Sequence, residues 1–297
     1  MQISSRFRKF LSYTSIAAFM ITLLAALAPT ASAVNFAGTD NKNGKLLYIQ
    51  TPNTEFTLET VGAQPVGVVV APGQLMIYAI SSVGEVHVFN PYTKADTLLA
   101  KGFTTPTDIV VEPGCESILV SDIGVNKIFQ VTSSGVVSTF YNGPDTIRGL
   151  VYDTNANLFA NDVSAGAIVQ FTTQGVITAQ TPGPALTALD SLTYDQKTNS
   201  LFATSNTGQV LYQAPDNLSS VTTIPFANGT VLEGITSNGS GTLYVVGGNG
   251  TTNNIYQYTV STGVTTKLNT VPGLDRISII ASGPCLKSLG TDQSCGE

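Results

Sequence analysis

A three-residue anchor recurs six times at nearly constant spacing: Val66-Gly67-Val68, Thr107-Asp108-Ile109, Arg148-Gly149-Leu150, Asp190-Ser191-Leu192, Glu233-Gly234-Ile235 and Asp275-Arg276-Ile277. The middle residues fall at 67, 108, 149, 191, 234 and 276, giving steps of 41, 41, 42, 43 and 42 residues. Each anchor opens a short hydrophobic strand. A period of about 40 to 50 residues built only from short strands predicts a β-propeller, whose repeats are blades arranged around a central channel. Propellers host binding, scaffolding and catalysis on one backbone, so the repeat fixes an architecture and leaves activity to individual side chains.

The second repeat shows the pattern of one blade. Pro106 to Val111 is the inner strand, Glu112-Pro113-Gly114 turns, Ser117 to Ser121 is the second strand, Asp122 to Asn126 loops, Lys127 to Thr132 is the third, Ser134-Gly135 turns, and Val136 to Tyr141 is the fourth. Apolar and polar residues alternate with period two through these segments, as strands require. The sixth blade is expected to be split between the chain ends. Arg276 to Ala281 supplies its inner strand, while Asn35-Phe36-Ala37, Lys45 to Gln50 and Glu55 to Val61 supply the other three. The predicted fold is therefore all-β, a six-bladed β-propeller of four-stranded antiparallel blades. Its last blade is closed by N-terminal strands plus one C-terminal strand, which removes the open sheet edges that template aggregation.

Residues 1–33 read as an export signal. Arg6, Arg8 and Lys9 are basic, the run from Ile16 to Leu27 is almost wholly apolar, and Ala31-Ser32-Ala33 is a small-residue cleavage site. The apolar run is short of the ~20 residues that span a bilayer, and no later stretch approaches that length. The expected organisation is a signal peptide over 1–33, a propeller over 34–283 and a C-terminal tail over 284–297, in a secreted or periplasmic protein. Without the leader, ten basic side chains face 19 acidic ones, a net charge of −9. Such a surface repels phosphate, which argues against nucleic acid and anionic membranes as partners. The partners expected instead are a small molecule or an extracytoplasmic protein, and the expected state is a monomer. Of the three cysteines, Cys285 and Cys295 in the tail suit a local bridge, with Cys115 either a free thiol or the partner of one of them. Four N-x-S/T sequons, at Asn217, Asn228, Asn238 and Asn249, are of a kind that arises by chance in a chain rich in Asn, Gly, Ser and Thr.

The segment from Ile118 to Val131 resembles the repeat of NHL propellers, where a strand ending in Asp leads through a small loop into a strand with a basic first residue. The openings Leu189-Asp190-Ser191-Leu192-Thr193 and Leu232-Glu233-Gly234-Ile235-Thr236 are similar to those of the gluconolactonase and senescence-marker-protein family. WD repeats are excluded by the absence of tryptophan. The resemblance implies a divalent cation, usually calcium, at the channel mouth, held by acids and amides from separate blades. Taking the middle residue of each triplet as the anchor proper, the residues preceding the anchors are Val66, Thr107, Arg148, Asp190, Glu233 and Asp275, so three consecutive blades aim a carboxylate at the channel. Asp190, Glu233 and Asp275, with Asn206, are the candidate metal ligands, and Arg148, Asp190, Glu233 and Asp275 the candidate ligand-binding residues. Asp40, Asp122, Asp162, Asn206 and Asn249 fall where a second ring would lie. The full acid and amide set of the family is missing, and Arg148 brings a positive charge toward any cation. The competing reading pairs the three acids with strand ends or with Arg148 and Arg276.

His87 is the only histidine and sits in the strand Glu85 to Phe89, so a multi-histidine zinc site is excluded and a strand-face role expected. The glycine-rich stretch 247–254 joins two strands rather than opening a helix, which makes it an elongated loop and not a phosphate cradle. Tyr244, Tyr256, Tyr258, Phe129, Phe140, Phe171 and Phe202 are expected to pack between blades. Together these readings favour a propeller that recognises a small molecule or protein through its channel-mouth loops. The alternative is a cation-dependent hydrolase of lactones or related esters, and a third reading is metal-free chemistry with Glu233 as acid or base.

Overall fold

A computed structural model describes residues 33–52, 54–114, 116–226, 231–249 and 252–280. The leader as far as residue 32, Asn228, the tail and all three cysteines lie outside the described residues. Three strands come first: β1 (Asn35–Asp40), β2 (Lys45–Gln50) and β3 (Thr54–Thr60). Blade 1 is β4 (Pro65–Val70), β5 (Met76–Ile80), β6 (Glu85–Asn90) and β7 (Ala95–Lys101), with one 3₁₀ turn at Pro72–Gln74. Blade 2 is β8 (Pro106–Val111), β9 (Ser117–Asp122), β10 (Lys127–Thr132) and β11 (Val137–Asn142). Blade 3 is β12 (Ile147–Tyr152), β13 (Leu158–Asp162), β14 (Ala167–Phe171) and β15 (Ile177–Gln180). Blade 4 is β16 (Leu189–Asp195), β17 (Ser200–Ser205), β18 (Val210–Pro215) and β19 (Thr222–Pro225). Blade 5 is β20 (Val231–Ser237), β21 (Thr242–Gly248), β22 (Thr252–Thr259) and β23 (Val264–Pro272), and β24 (Leu274–Ile279) ends the series. β24 pairs with β1, so blade 6 runs β24-β1-β2-β3 and the six antiparallel blades close on themselves.

Burial grades outward across each blade and follows residue type. In blade 4 every residue of β17 is buried, whereas β19 (Thr-Thr-Ile-Pro) shows one half-buried residue among exposed ones. Among the described residues no blade has a core of its own, and the six apolar clusters each lie between two neighbours. Ile77 and Val86 of blade 1 pack on Ile109 and Val120 of blade 2, and Phe202 of blade 4 packs on Leu243 and Val245 of blade 5. Ala37 and Leu46 of blade 6 return to Tyr78 and Phe89 of blade 1. Tyr244 and Phe171 are buried as expected, with Tyr244 meeting Phe36 edge-on at 5.0 Å across the last blade junction.

Every inner strand carries one extra residue at its anchor. The pairing jumps from Pro65↔Ile80 to Val68↔Tyr78, from Ile147↔Asp162 to Leu150↔Ala160, and from Leu189↔Ser205 to Leu192↔Ala203, and equivalent jumps occur in the other three blades. Such a bulge leaves a carbonyl and an amide outside the ladder at the crowded inner radius. The preceding blade supplies the carbonyl's partner, and the blade's own second strand supplies the amide's in blades 2 and 4. Ser121 Oγ accepts from Asp108 N at 3.1 Å and donates to Arg148 O at 2.7 Å, bridging the bulges of blades 2 and 3. Asn161 Nδ2 donates to Asp190 O and Ser191 O at 3.3 and 3.2 Å. Thr204 Oγ1 accepts from Ser191 N at 3.0 Å and donates to Glu233 O at 2.7 Å. In blade 5 the matching strand position is Gly247, and Asn253 of β22 takes over, donating to Leu274 O at 2.6 Å. The stretch expected to be a long loop is thus mostly strand, since Gly247 pairs with Asn254 and Gly248 with Asn253.

The anchor's middle residue alternates around the ring. Gly67 and Gly234 face the inner-strand backbone of the next blade, where a Cβ would stand 2.8 Å from Asp108 Cα and 2.8 Å from Asp275 O. Replacing Thr204 by valine keeps shape but orphans the Ser191 amide and the Glu233 carbonyl, an expected loss of about 1–3 kcal/mol in urea denaturation. A chain ending at Gly273 lacks β24 and leaves one edge of β1 unpaired, although β1 still pairs with β2. It is expected to aggregate, and a soluble truncated protein with the same melting temperature would contradict ring closure.

Candidate functional site

All six residues that precede an anchor, Val66, Thr107, Arg148, Asp190, Glu233 and Asp275, line one cavity of about 480 Å³. Its rim comes from the loops after the second strands, including Asn41, Ser81, Ile123 and Asn206, and from Thr105. The cavity therefore opens on the face where the inner strands begin. Blades 1 and 2 contribute Val66 and Thr107, and blades 3 to 6 contribute the charges.

Asp190 is the hub. Its Oδ1 accepts from Arg148 Nη1 at 2.6 Å and from Arg276 Nη2 at 2.9 Å, and its side chain is only 4% exposed. Arg276 also approaches its neighbour Asp275 at 3.5 Å. Arg276 is the middle residue of its anchor, and from blade 6 it reaches Asp190 two blades away. It is buried, and although burial opposes its charge, Asp190, Asp275 and Asp108 together raise its pKa above the ordinary arginine value. Arg148 keeps 29% of its side chain exposed and so presents a guanidinium to the cavity.

Three carboxyls around the cavity have displaced titrations. Glu233 is pushed up to about 7, first by burial and then by the charge of Asp275, against the lowering effect of Arg276 and of a hydrogen bond from Asn253 Nδ2 at 2.6 Å. Asp108, the blade 2 anchor, is pushed up to about 6 by burial, although Arg276 and the amides of Leu150 (2.9 Å) and Ile109 (3.0 Å) favour its charged form. Burial also raises Asp275.

The three acids share one cavity, but the arrangement does not fit a divalent cation. Calcium takes six to eight oxygens. Here Asp190 is occupied by two guanidiniums and Glu233 by an amide, and among the described residues no group of three or more His, Cys, Asp or Glu is placed to hold a metal ion. Two arginines in the same lining oppose any further positive ion. The ion-pairing alternative describes the geometry. The expected second ring does not form either. Asp122 caps the amides of Thr104, Thr105 and Gly124, Asp162 holds Ser164 and Ala165, and Asp40 holds Asn43. Of that ring only Asn206 reaches the cavity.

His87 lies on β6 as expected, stacked on Tyr78 at 5.4 Å, with Nδ1 3.0 Å from Asp96 and Nε2 3.2 Å from Glu85. The hydrogen bond to Asp96 leads in raising its pKa, with Glu85 adding to it and burial opposing. Residues not singled out from the sequence as part of the site are Asp108, Arg276 as a channel-spanning cation, and Asn253. The polar residue one place before the end of the second strand, as in Leu158-Phe159-Ala160-Asn161-Asp162 and Leu201-Phe202-Ala203-Thr204-Ser205, is the signal that would have located the inter-blade bridges.

Removing the Asp190 charge leaves Arg276 buried beside fewer acids, so Asp190→Asn is expected to destabilise the fold by about 3 kcal/mol in denaturant titration. The displaced carboxyls of Asp108 and Glu233 set a pH dependence. Folding raises both pKa values, so the folded state holds extra protons, and the stability this confers is present at low pH and lost as pH rises through about 6 and 7. The melting temperature is expected to fall between pH 5 and 8, with a shallower fall in the Asp108→Asn, Glu233→Gln double variant.

No protein-family model matches the sequence, and no curated protein matches it. Solved structures do. A chain of the nidogen/laminin complex superposes with a TM-score of 0.71 at 15% identity, covering 84% of this chain and 98% of that one. Virginiamycin B lyase from Staphylococcus aureus gives 0.56 at 16% identity over 78% of this chain and 72% of its own. A catalytically inactive form of that lyase with quinupristin gives 0.57 at 16% identity, covering 78% and 73%. At these identities the likeness is one of fold.

Proposed function

We propose that this chain is an exported propeller that binds a small, hydroxyl-rich polar ligand in its channel-mouth cavity. Export rests on the basic, apolar and small-residue order of the first 33 residues. The observation that carries the binding reading is the mixed lining: a part-exposed guanidinium from Arg148, carboxyls from Glu233 and Asp275, and neutral donors and acceptors from Thr105, Thr107, Asn41 and Asn206, all facing about 480 Å³. A polyol or sugar-like molecule offers hydroxyls that donate to the acids and accept from the arginine. An apolar ligand would leave these groups desolvated and unpaired. Arg148 and Arg276 are already neutralised in part by Asp190, so a strongly anionic ligand gains little.

One observation favours a second reading, metal-free proton-transfer chemistry at the same place. A carboxyl titrating at about 7 is poised to give and take a proton near neutrality, and Glu233 is the group so placed. Lyase propellers among the similar structures support an enzyme of this architecture. Recognition of an extracytoplasmic protein by the same loop face is supported by likeness to a chain from the nidogen/laminin complex.

The test is thermal melting against monosaccharides, sugar lactones and amino sugars, each with and without a chelator. A stabilising member is expected, indifferent to the chelator and weakened about tenfold by Glu233→Gln, the equivalent of ~1.4 kcal/mol. A panel that shifts nothing, or a shift that depends on divalent metal, overturns the proposal. Turnover of a bound lactone that Glu233→Gln abolishes would promote the second reading.

A further inference from the structure

The face opposite the channel mouth carries a second cavity, wedged between blades 2 and 3. It is formed by the turn after β8, the end of β12 and the turn after β14. It encloses about 250 Å³ and shares Glu112, Tyr152, Ala156 and Thr173 with a contiguous recess of about 60 Å³, walled by Phe140, Leu158 and Phe171. Glu112 is fixed in place. Its Oε2 accepts from Ser117 Oγ and from Gln130 Nε2 at 2.6 Å, and the Tyr152 hydroxyl points at its Oε1 from 3.4 Å. Burial and the neighbouring Glu112 raise the Tyr152 pKa, so the phenol stays a neutral donor.

All three donors to Glu112 are neutral. Among the described residues no lysine or arginine lines either cavity, Glu116 adds a second carboxyl to the lining, and neither glutamate forms an ion pair. The contrast with the channel is direct, because there Asp190 and Asp275 both face arginine. The result is an oriented, uncompensated carboxylate next to an aromatic ring, with Pro113, Ala156 and the phenylalanines supplying apolar surface. A metal ion is a poor occupant, since no cluster of oxygen-bearing acids is placed to hold one among the described residues. A positive group carrying its own alkyl surface satisfies both walls at once. The carboxylate meets its charge, and the ring meets it through its negative face.

We propose that this cavity between blades 2 and 3 binds an alkylammonium group, with Glu112 as the counter-charge and Tyr152 as the aromatic wall. The source is either a free quaternary amine or a lysine side chain of another protein, and both share this chemistry. The site is independent of the channel mouth.

Calorimetric titration of the full chain tests it with choline, its neutral isostere 3,3-dimethylbutanol, and an acetyl-lysine-amide in which only the side chain is charged. Choline or the lysine compound is expected to bind, the isostere is not, and Glu112→Gln is expected to weaken binding about tenfold. Tyr152→Leu is expected to weaken it as well, while Tyr152→Phe, which keeps the ring, retains most of the affinity. Binding by choline alone identifies a free amine, and binding by the lysine compound a protein partner. Melting curves confirm that each variant folds. Equal binding of the neutral isostere, unchanged affinity in folded Glu112→Gln, loss of binding in Glu233→Gln instead, or no heat with either cation overturns the proposal.

Discussion

One additional residue at the start of every inner strand governs both the ring and its mouth. The inner strands crowd around the axis, and a regular ladder there would alternate side chains between the two blade junctions. The bulge breaks that alternation and turns the residue before each anchor toward the axis, which is why six residues about 42 positions apart line one cavity. The same bulge releases carbonyls that the blade does not satisfy itself. Ser121, Asn161, Thr204 and Asn253 satisfy them from the blade before. Site geometry and inter-blade cohesion therefore share one cause.

The electrostatics follow from that crowding. Six pre-anchor side chains around one axis cannot all be acids without severe repulsion, since two carboxylates ~6 Å apart repel by about 3 kcal/mol at an effective dielectric near 20. This chain answers with two arginines. Arg148 occupies a pre-anchor position, and Arg276 replaces the glycine found at the equivalent position in blades 1, 3 and 5. The exchange works because Gly234 precedes it: an inner strand without a side chain lets the next one approach, and the approaching strand carries the long cation across the channel. Both guanidiniums meet on Asp190, which offsets them in part, Asp275 faces Arg276 as well, and Glu233 is the acid of the lining held by an amide instead of a guanidinium.

Much of this was legible in the sequence, and what was missed has a physical explanation. The blade count, the split sixth blade and the six cavity-facing positions follow from a period that the anchors display openly. The strand ends were harder to place: the expected inner strand Arg276 to Ala281 is found at Leu274–Ile279, and the glycine-rich loop shrank because Gly247 and Gly248 join a ladder. Glycine weakens a strand without forbidding it, so composition alone misjudged that boundary. The cation site expected by resemblance depended on which acids would be free to ligate. That is a property of side-chain reach across two blades, as with Arg276 and Asp190, and no linear spacing reports it. Asn253 was missed for a similar reason, since from a different strand it substitutes for a donor that Gly247 cannot provide.

The state of Glu233 would link the fold to an occupant of the proposed cavity. Burial and Asp275 disfavour its charged form, while Asn253 and Arg276 favour it, and the balance falls at about 7. A carboxyl held at that point is responsive, because any ligand that brings a hydrogen-bond donor or a positive charge tips it toward ionisation. Binding of such a ligand then releases a fraction of a proton, and its affinity rises with pH across neutrality. A ligand offering only acceptors does the reverse, holding the proton on Glu233 to donate to it. The sign of proton exchange on binding thus separates donor-presenting from acceptor-presenting occupants, whatever their chemical identity. It follows directly from the crowding at the axis, since without Asp275 and the surrounding inner strands Glu233 would ionise well below neutral pH and carry no such response.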